Sequence, residues 1–563
     1  MRKFFTCMLV AATIAGFTSC SDDNDDPKLF ELPAETKTMT PANGLTFVSN
    51  GQSLSDVTLQ YVPAADGKSA ILDIFGSNAS RADVSRAENP VIAPGDVLPG
   101  AASVSINVTP KFEADRATFE GDAESTYCTF HYNGAITATT IQVNLTNIVM
   151  KNGVIISDLT FTDSDVDHML ELTYNGSPLV GKMIGFSPDS SDYKRAVLTL
   201  AGQTLDLSDL LKTAQLPVDL SKIAQIPTPG VLPGTPSFEL PVTLGEGNSF
   251  SGSAETDFVT FKYEGTVATE KLVLNITEAK LKNAPLSANK WYVPQYFYNE
   301  DTWEYEGNPV HFVWESGAVF NIDLGGWVLP LPPASLVGMM LQMGLIPQED
   351  GAASITQMLS RSLKTIEFKA DGNIVAGYVD KGIVGGPVIQ SPTGLAQYVV
   401  ATDGTILLYL NPQAIIMNVM KAQNEAAKSR AIDFSKYQAT IDGLAEMLVK
   451  CVNEGFPITY TNGIYKAPEK EEESGSFINT DENVSVYAGT EFILPLLKAI
   501  APIFNDEEVR QAIMDLAGQN EDFASMAPML DGILKALPEV VEKTTKIEAG
   551  LILTKNEPNV PAE

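Results

Sequence analysis

The residue types that most often carry catalysis or bind metals are scarce in this chain, except for carboxylates. It has three histidines, His131, His168 and His311, and four cysteines, against 70 aspartate and glutamate residues. Three scattered histidines leave little material for a histidine-built metal centre or for imidazole acid–base chemistry. The sequence also lacks a Gly-x-Ser-x-Gly elbow, a phosphate-binding loop and a His-Glu-x-x-His motif. Carboxylates are therefore the only abundant groups from which a catalytic site could be built.

A glycan hydrolase would need two carboxylates facing one cleft. The best candidates lie in a window rich in aromatic residues: Glu300, Asp301, Glu304, Glu306, Glu315 and Asp323. No spacing singles out a pair among them, and solvated loop charges explain them better. We therefore expect a protein without catalytic residues and leave the hydrolase open as an alternative.

Alternating aspartates at 163, 165 and 167 resemble the start of a calcium-binding EF-hand loop. The sixth position of such a loop requires glycine and the twelfth requires glutamate, but this chain has His168 and Tyr174 there. An EF-hand is excluded, and a solvated linker is expected rather than a looser calcium site. No metal or cofactor is predicted.

Charge and length limit the kind of protein this is. The chain has 563 residues, 37 basic and 70 acidic side chains, and a formal net charge of −33. A chain this acidic repels phosphate backbones, so nucleic acid is not an expected partner. The length suggests three or four domains.

The N-terminus has the layout of a secretory signal. Arg2 and Lys3 precede an apolar run at 4–17, which is too short to span a bilayer but typical of a signal peptide. The run leads into Gly-Phe-Thr-Ser-Cys at 16–20, and small residues directly before a cysteine resemble the lipobox of bacterial lipoproteins. That resemblance implies a signal peptide at 1–19 and a lipid on Cys20, with an acidic tether at 20–42.

A serine and four aspartates follow the cysteine at once: Ser21, Asp22, Asp23, Asp25 and Asp26, with Asn24 among them. This stretch resembles the surface-export signal of Bacteroidota lipoproteins. The resemblance implies a lipid-anchored protein of the outer membrane that is exposed at the cell surface, and a solvated acidic spacer is the alternative. Two cysteines remain beyond the signal peptide and the proposed lipid site. Cys128 and Cys451 are expected to be buried thiols, and a disulfide between them stays possible.

An internal duplication occupies the middle of the chain. Residues 123–134 and 254–265 share six of twelve positions, and Val-Leu-Pro-Gly occurs upstream of both, at 97–100 and 231–234. Their apolar and polar residues alternate with the period of strands that bury one face. Two tandem repeats, 43–158 and 167–287, are predicted, each a small antiparallel β-sandwich or barrel. Cys128 aligns with Val259, so the alignment predicts a small apolar position there.

The sequence changes character at about residue 289. All four tryptophans lie between 291 and 327, and strand patterns then alternate with helical ones. The expected helices are 335–343, 352–363, 413–427, 435–453, 506–517 and 523–542. Trp291 near the first strand, a meander of hairpins and a closing strand at 546–554 resemble the lipocalin-like (calycin) β-barrels of Bacteroidota lipoproteins. That resemblance implies a lipocalin-like barrel with helical insertions at 289–563, and thus a mainly β fold with an α+β third domain.

Two kinds of function remain. The first is a binding module at the cell surface, because an aromatic-lined barrel can hold a small apolar molecule and exposed aromatic rings can stack on a glycan. The second is the hydrolase. A third, structural option is an accessory subunit of a surface complex whose repeats lift the last domain off the membrane. The candidate ligand-binding residues are Trp291, Trp303, Trp314, Phe320, Trp327 and Met340. A methionine-rich helix around Met340 is expected either to cap the barrel mouth or to pack permanently on the barrel wall.

Overall fold

The computed structural model describes residues 29–76, 95–206, 225–301, 303–323, 327–348, 351–383, 385–412, 435–466, 476–478, 480–517 and 527–558. The predicted lipid site Cys20, the export segment Ser21, Asp22, Asp23, Asp25 and Asp26, and the predicted helix 413–427 lie outside these ranges. No helix within the described ranges is long and apolar enough to cross a membrane.

The chain divides into two compact units. The first comprises Met1–Val154 with Ser190–Asp192, and the second comprises Ile155–Asp189 with Tyr193–Glu563. The fold is mainly β, as the alternating patterns predict. The first unit therefore holds the first repeat, while the second unit combines the second repeat with the C-terminal barrel.

Ten strands are described in the first unit. They are β1 Lys37–Met39, β2 Leu45–Ser49, β3 Gln52–Ser53, β4 Val57–Pro63, β5 Ala70–Gly76, β6 Ser103–Val108, β7 Lys111–Phe112, β8 Ala117–Glu124, β9 Cys128–Ile136 and β10 Ile141–Met150. They form one sheet in the order β1-β4-β5-β6 and another in the order β3-β2-β10-β9-β8-β7. All pairs are antiparallel except β2 with β10. The apolar faces share one core that includes Leu59, Leu72, Phe130 and Leu145.

In the second repeat, the part of the chain that the structure describes forms eleven strands. They are β11 Leu159–Thr162, β12 Met169–Tyr174, β13 Ser177–Pro178, β14 Lys182–Pro188, β15 Arg195–Gly202, β16 Thr204–Asp206, β17 Gln225–Pro227, β18 Ser237–Thr243, β19 Ser249–Glu255, β20 Val259–Val267 and β21 Lys271–Leu281. Eight of them follow the order β18-β15-β14-β11-β12-β21-β20-β19 and form a nearly closed, barrel-like sheet. The strands β12 and β21 run parallel, as β2 and β10 do.

The two repeats share irregular features as well as strand order, which confirms the duplication. Asn147 in β10 and Glu278 in β21 have φ angles of 51° and 50°, each beside a register shift in the pairing with the preceding strand. The Val-Leu-Pro-Gly segments at 97–100 and 231–234 each lie in a tight turn closed by an isolated β-bridge. Irregularities at matched positions are not expected of two sheets that merely have similar composition.

The described residues of the C-terminal part form eighteen strands. They are β22 Trp291–Tyr292, β23 Phe297–Asn299, β24 Glu304–Glu306, β25 Val310–Ser316, β26 Phe320–Asp323, β27 Val328–Leu331, β28 Gly344–Gln348, β29 Gly351–Ser354, β30 Leu363–Phe368, β31 Asn373–Val379, β32 Val388–Gln390, β33 Ala396–Val400, β34 Ile406–Leu410, β35 Phe456–Asn462, β36 Ile464–Lys466, β37 Ser476–Ile478, β38 Asn483–Ala488 and β39 Thr544–Thr554. The strands β22, β30, β31, β33, β34, β35, β38 and β39 form a closed antiparallel barrel. The pair Tyr292–Thr554 closes it, because β22 bonds to the last strand. The predicted barrel with helical insertions is confirmed.

Two Asp-Gly hairpin turns lie at the same end of the barrel. Gly372 follows Asp371 between β30 and β31, and Gly404 follows Asp403 between β33 and β34; both glycines have φ of 88°. A side chain at that φ would strain the backbone, so the Asp-Gly pairs define these turns.

Six helices are described: α1 Pro333–Gln342, α2 Ile355–Ser362, α3 Gln438–Glu454, α4 Thr490–Ile500, α5 Glu507–Ala517 and α6 Ala527–Glu542. Five lie within a few residues of the predicted bounds. The pattern missed α4, because Pro495 stands inside it and the segment is almost uniformly apolar.

The second repeat and the barrel have one continuous hydrophobic core. A single cluster contains Phe161 and Leu274 from the repeat together with Trp291 and Tyr398 from the barrel. Backbone bonds join them too, since the amide of Leu281 donates to the carbonyl of Ala370 at 2.8 Å. The second repeat is thus packed into the barrel unit.

Candidate functional site

One face of the closed sheet is apolar, and this face points into the barrel. The rings of Phe368 in β30 and Tyr398 in β33 meet edge to face with centroids 5.3 Å apart, although β31 separates their strands. Side chains of non-adjacent strands converge in this way on the concave side of a sheet. Directly paired residues of neighbouring strands share a face. Leu408 pairs with Tyr398, and Phe456 pairs with Leu408, so both also point inward.

The opposite face is polar in part and contacts elements outside the barrel. Tyr409 donates its hydroxyl to the carbonyl of Glu454 on α3 at 3.1 Å. Val399 lies against the turn of the second repeat that contains Gly234. The inward and outward sets alternate along each strand, as expected for a barrel.

The inward side chains are fully buried at the end that carries the Asp-Gly turns. Tyr398, Val484 and Leu553 have no exposed surface, and Trp291 and Ile406 have almost none. The indole nitrogen of Trp291 donates to the carbonyl of Leu286 at 3.0 Å. This end is therefore a packed floor, and Trp291 is part of it.

At the other end the inward side chains are only partly buried. Representative members are Phe312, Tyr378, Leu408, Leu410, Phe456 and Val486. The connections after β25, β31, β34 and β38 all leave from this end, because successive antiparallel strands alternate in direction. These inward apolar side chains retain some exposed surface, and we call this set of residues the cup.

Helices pack over the cup. The pair Trp314–Ile547 continues the inward face beyond the rim, and both residues join a cluster with Leu336 of α1 and Val540 of α6. The indole nitrogen of Trp314 donates to the hydroxyl of Thr544 at 2.9 Å. The phenyl ring of Phe492 on α4 meets that of Phe456 edge to face, with centroids 6.0 Å apart.

The structure brings three of the six predicted ligand-binding residues together. Phe320 is buried in the cluster of Trp314, and Met340 of α1 packs against the same cluster while remaining partly exposed. Trp291 belongs to the barrel floor. Trp303 and Trp327 are 78% and 66% exposed, so neither forms part of the cup.

Sequence reasoning missed a buried polar pair on the outward face of the barrel. Nε2 of His311 lies 3.0 Å from a carboxylate oxygen of Glu548, and the imidazole stacks on Tyr487 with centroids 4.3 Å apart. Burial alone would raise the pKa of Glu548, but hydrogen bonds from His311 and Lys546 outweigh it and hold that pKa below its usual value. No local signal marks this pair, because its members are far apart in sequence.

The four hydrolase candidates whose side chains the structure describes do not gather in an enclosed cleft. Glu300, Asp301 and Glu306 are exposed on the β23–β24 hairpin, and exposed Glu315 accepts a 3.4 Å bond from the hydroxyl of Tyr465. The side chains of Glu304 and Asp323 lie outside the described residues. Water surrounds these exposed groups, which does not favour a glycosidase site.

The acidic segment predicted as a linker between the repeats instead connects β11 and β12 within the sheet of the second repeat, and backbone amides hold it in place. Asp165 accepts bonds from the amides of Asp167 and His168, and Asp163 accepts one from Gly181 at 2.9 Å. Within the described residues, no group of three or more His, Cys, Asp or Glu side chains could hold a metal ion. Cys128 and Cys451 are both buried free thiols.

Comparison with protein-family models, with curated proteins and with solved structures found no match to this chain.

Proposed function

We propose that this chain is a lipid-anchored surface protein of the bacterial outer membrane that binds a small apolar molecule in its C-terminal barrel. The observation that carries the binding proposal is the partly exposed apolar lining at the helical end of a closed eight-stranded barrel. A barrel of this size can enclose side chains or one small ligand. The anchor rests on the lipobox-like residues 16–20 and the acidic segment after Cys20.

The chemistry of the cup supports an apolar ligand. Its inward residues are aliphatic or aromatic, with Tyr378 and Tyr460 supplying hydroxyls. Burying a ligand against such side chains is favourable roughly in proportion to the apolar area removed from water. A few polar groups would then fix the orientation of the bound ligand, as in most small-molecule sites.

The methionine-bearing helix α1 gives the proposal a direct test. Met340 packs against the cluster over the cup, whereas its neighbour Met339 is 40% exposed. Titration of the neutral probe N-phenyl-1-naphthylamine into the full chain should enhance probe fluorescence and change tryptophan emission. Met340→Lys should weaken binding about tenfold because it places a charge against the apolar cluster, and Met339→Lys should leave the affinity unchanged.

Two results would contradict the proposal. One is the absence of any probe response from the folded full chain at concentrations that saturate known apolar sites. The other is an equal loss of binding in both lysine variants, which would point to the surface rather than the cup. Circular dichroism of each variant would establish that it is folded.

A glycan is the second candidate ligand, and the exposed indole of Trp327 is the observation in its favour. Sugar rings stack on exposed aromatic faces by their C–H groups. Neutral oligosaccharides titrated into the full chain and its Trp327→Ala variant would separate this candidate from the apolar one, since the cup lining is unchanged by that substitution.

A further inference from the structure

The β23–β24 hairpin displays aromatic side chains that its own packing does not explain. Trp303, Tyr305 and Tyr298 are 78%, 52% and 45% exposed. All three lie within one short ribbon, in which Tyr298 pairs directly with Tyr305. Large aromatic side chains clustered at the surface are typical of binding sites rather than of inert surface.

Contacts within the hairpin hold this surface in shape. The ring of Tyr305 stacks on buried Tyr296 with centroids 4.9 Å apart, and Tyr298 meets it edge to face at 5.2 Å. The amide of Trp303 donates to the carbonyl of Asn299 at 2.8 Å, although Trp303 has a φ of 59° that bulky residues seldom adopt. A ligand would therefore meet a largely preformed set of rings.

The charge of the hairpin identifies the kind of ligand it fits. Residues 293–308 contain Glu300, Asp301, Glu304 and Glu306 but no lysine or arginine. The side chains of Glu300, Asp301 and Glu306 are exposed beside the aromatic rings. Aromatic faces attract cations, and so do carboxylates, whereas an anionic ligand would be repelled.

We infer that the surface formed by Tyr298, Glu300, Asp301, Trp303, Tyr305 and Glu306 docks a lysine- or arginine-bearing segment of a partner protein. Cationic side chains can lie over the exposed rings while their nitrogens pair with the flanking carboxylates. A purely apolar partner fits less well, because docking would remove several carboxylates from water without compensation. The inference is independent of the proposed apolar site in the barrel.

A peptide titration tests the inference on the full chain. The probe is a peptide in which glycine alternates with lysine and arginine, and the control peptide has glutamine at every basic position. Binding is measured by isothermal titration calorimetry at 50 and 300 mM salt. The basic peptide should bind more tightly than the control, and its affinity should fall with salt.

Variants locate the interaction. Trp303→Ala should weaken binding of the basic peptide about two- to fivefold, as expected for loss of an exposed cation–π contact. Glu300→Gln combined with Asp301→Asn should weaken it about two- to tenfold and reduce its salt dependence. Phe75→Ala, and Glu239→Gln combined with Glu264→Gln, change an exposed aromatic ring and exposed carboxylates elsewhere and should have no effect.

Three outcomes would overturn the inference. Equal losses in the hairpin and control variants would show general attraction to an acidic protein. Equal binding of the basic and glutamine peptides would show docking that does not depend on cations. Binding of a neutral oligosaccharide that is abolished by Trp303→Ala, without binding of the basic peptide, would make the hairpin a glycan surface.

Discussion

At the scale of single residues, His311 and Glu548 form the most consequential polar pair described in the barrel. Both are buried on its outward face, and their atoms lie 3.0 Å apart. Removing one member of such a pair leaves the other buried without its charge-assisted bond, which is costlier than losing an exposed contact. The pair should therefore matter for stability although it lies outside the proposed ligand site.

We expect Glu548→Gln to lower the free energy of unfolding by about 1–3 kcal/mol at neutral pH. The measurement is urea unfolding followed by tryptophan fluorescence, which reports the barrel unit because all four tryptophans lie between 291 and 327. The matched control is exposed Glu315→Gln, which should change stability by less than about 0.5 kcal/mol. A smaller loss for Glu548→Gln than for the control would contradict this role.

The same carboxyl predicts a pH dependence with a definite sign. Its folded pKa lies below the unfolded value, so its stabilising contribution is complete above the unfolded pKa of about 4.3 and is lost as pH falls through the folded pKa. The stability difference between the native chain and Glu548→Gln should hence shrink as the pH is lowered below about 4. If the stability difference instead grows as the pH is lowered, the pKa of Glu548 is raised by folding and not lowered.

At the scale of elements, corresponding strands of the two repeats place different residues in the same environment. Cys128 begins β9 and Val259 begins β20, and neither has any exposed surface. The prediction of a small apolar position at Cys128 is confirmed. Burial raises the pKa of this thiol despite a contact with Ser125, which makes it less reactive.

Cys128→Val should consequently be tolerated, with a change in stability below about 1 kcal/mol, because the second repeat already accommodates valine there. Cys128→Asn should cost about 1–3 kcal/mol by burying an amide in an apolar site. Amide hydrogen exchange of the β9 segment in the full chain measures both effects locally. Greater loss of protection in the valine variant than in the asparagine variant would show that the repeats are not equivalent at this position.

At the scale of the whole molecule, the two repeats differ in what they pack against. The first has its own core, whereas the core of the second continues into the barrel. The sequence predicts domains at 43–158, 167–287 and 289–563, and these bounds stay predictions. The shared core nevertheless changes what we expect when the pieces are separated.

A fragment of residues 29–158 should unfold cooperatively by itself, because the buried apolar residues of the first repeat form a core of their own. Residues 155–287 alone should be poorly soluble, because separation from the barrel exposes apolar side chains of the shared core. Joined to the barrel as 155–563, the same repeat should fold. Thermal circular dichroism and light scattering of the three fragments test this, and a monomeric, cooperative 155–287 fragment would contradict it.

The proposed anchor makes a separate prediction at this scale. Cys20→Ala should release the protein from membranes as precursor or soluble material, because the lipid is proposed as its attachment. Replacing Asp22, Asp23, Asp25 and Asp26 by alanine should keep the lipid but hide the protein from external protease. If surface labelling of this alanine variant is unchanged, the four aspartates are an acidic spacer and not an export signal.

The sequence by itself determined the mainly β fold, the duplication and the buried position of Cys128. Alternation of apolar and polar residues shows which face of a strand is buried, and repeated segments show which strands correspond. It also determined five of the described helices from their periodicity, but not α4, where Pro495 and a nearly uniform apolar composition obscure the pattern.

Only the tertiary structure decided which strands and side chains meet. The barrel closes through the pairing of Tyr292 with Thr554, and His311 contacts Glu548. The members of each pair are more than two hundred residues apart in the sequence. It also separated the six predicted ligand-binding residues into the packed floor, the cluster over the cup and the exposed surface. Periodicity specifies a face of an element but not its partner, because pairing over long distances depends on how all the elements pack at once.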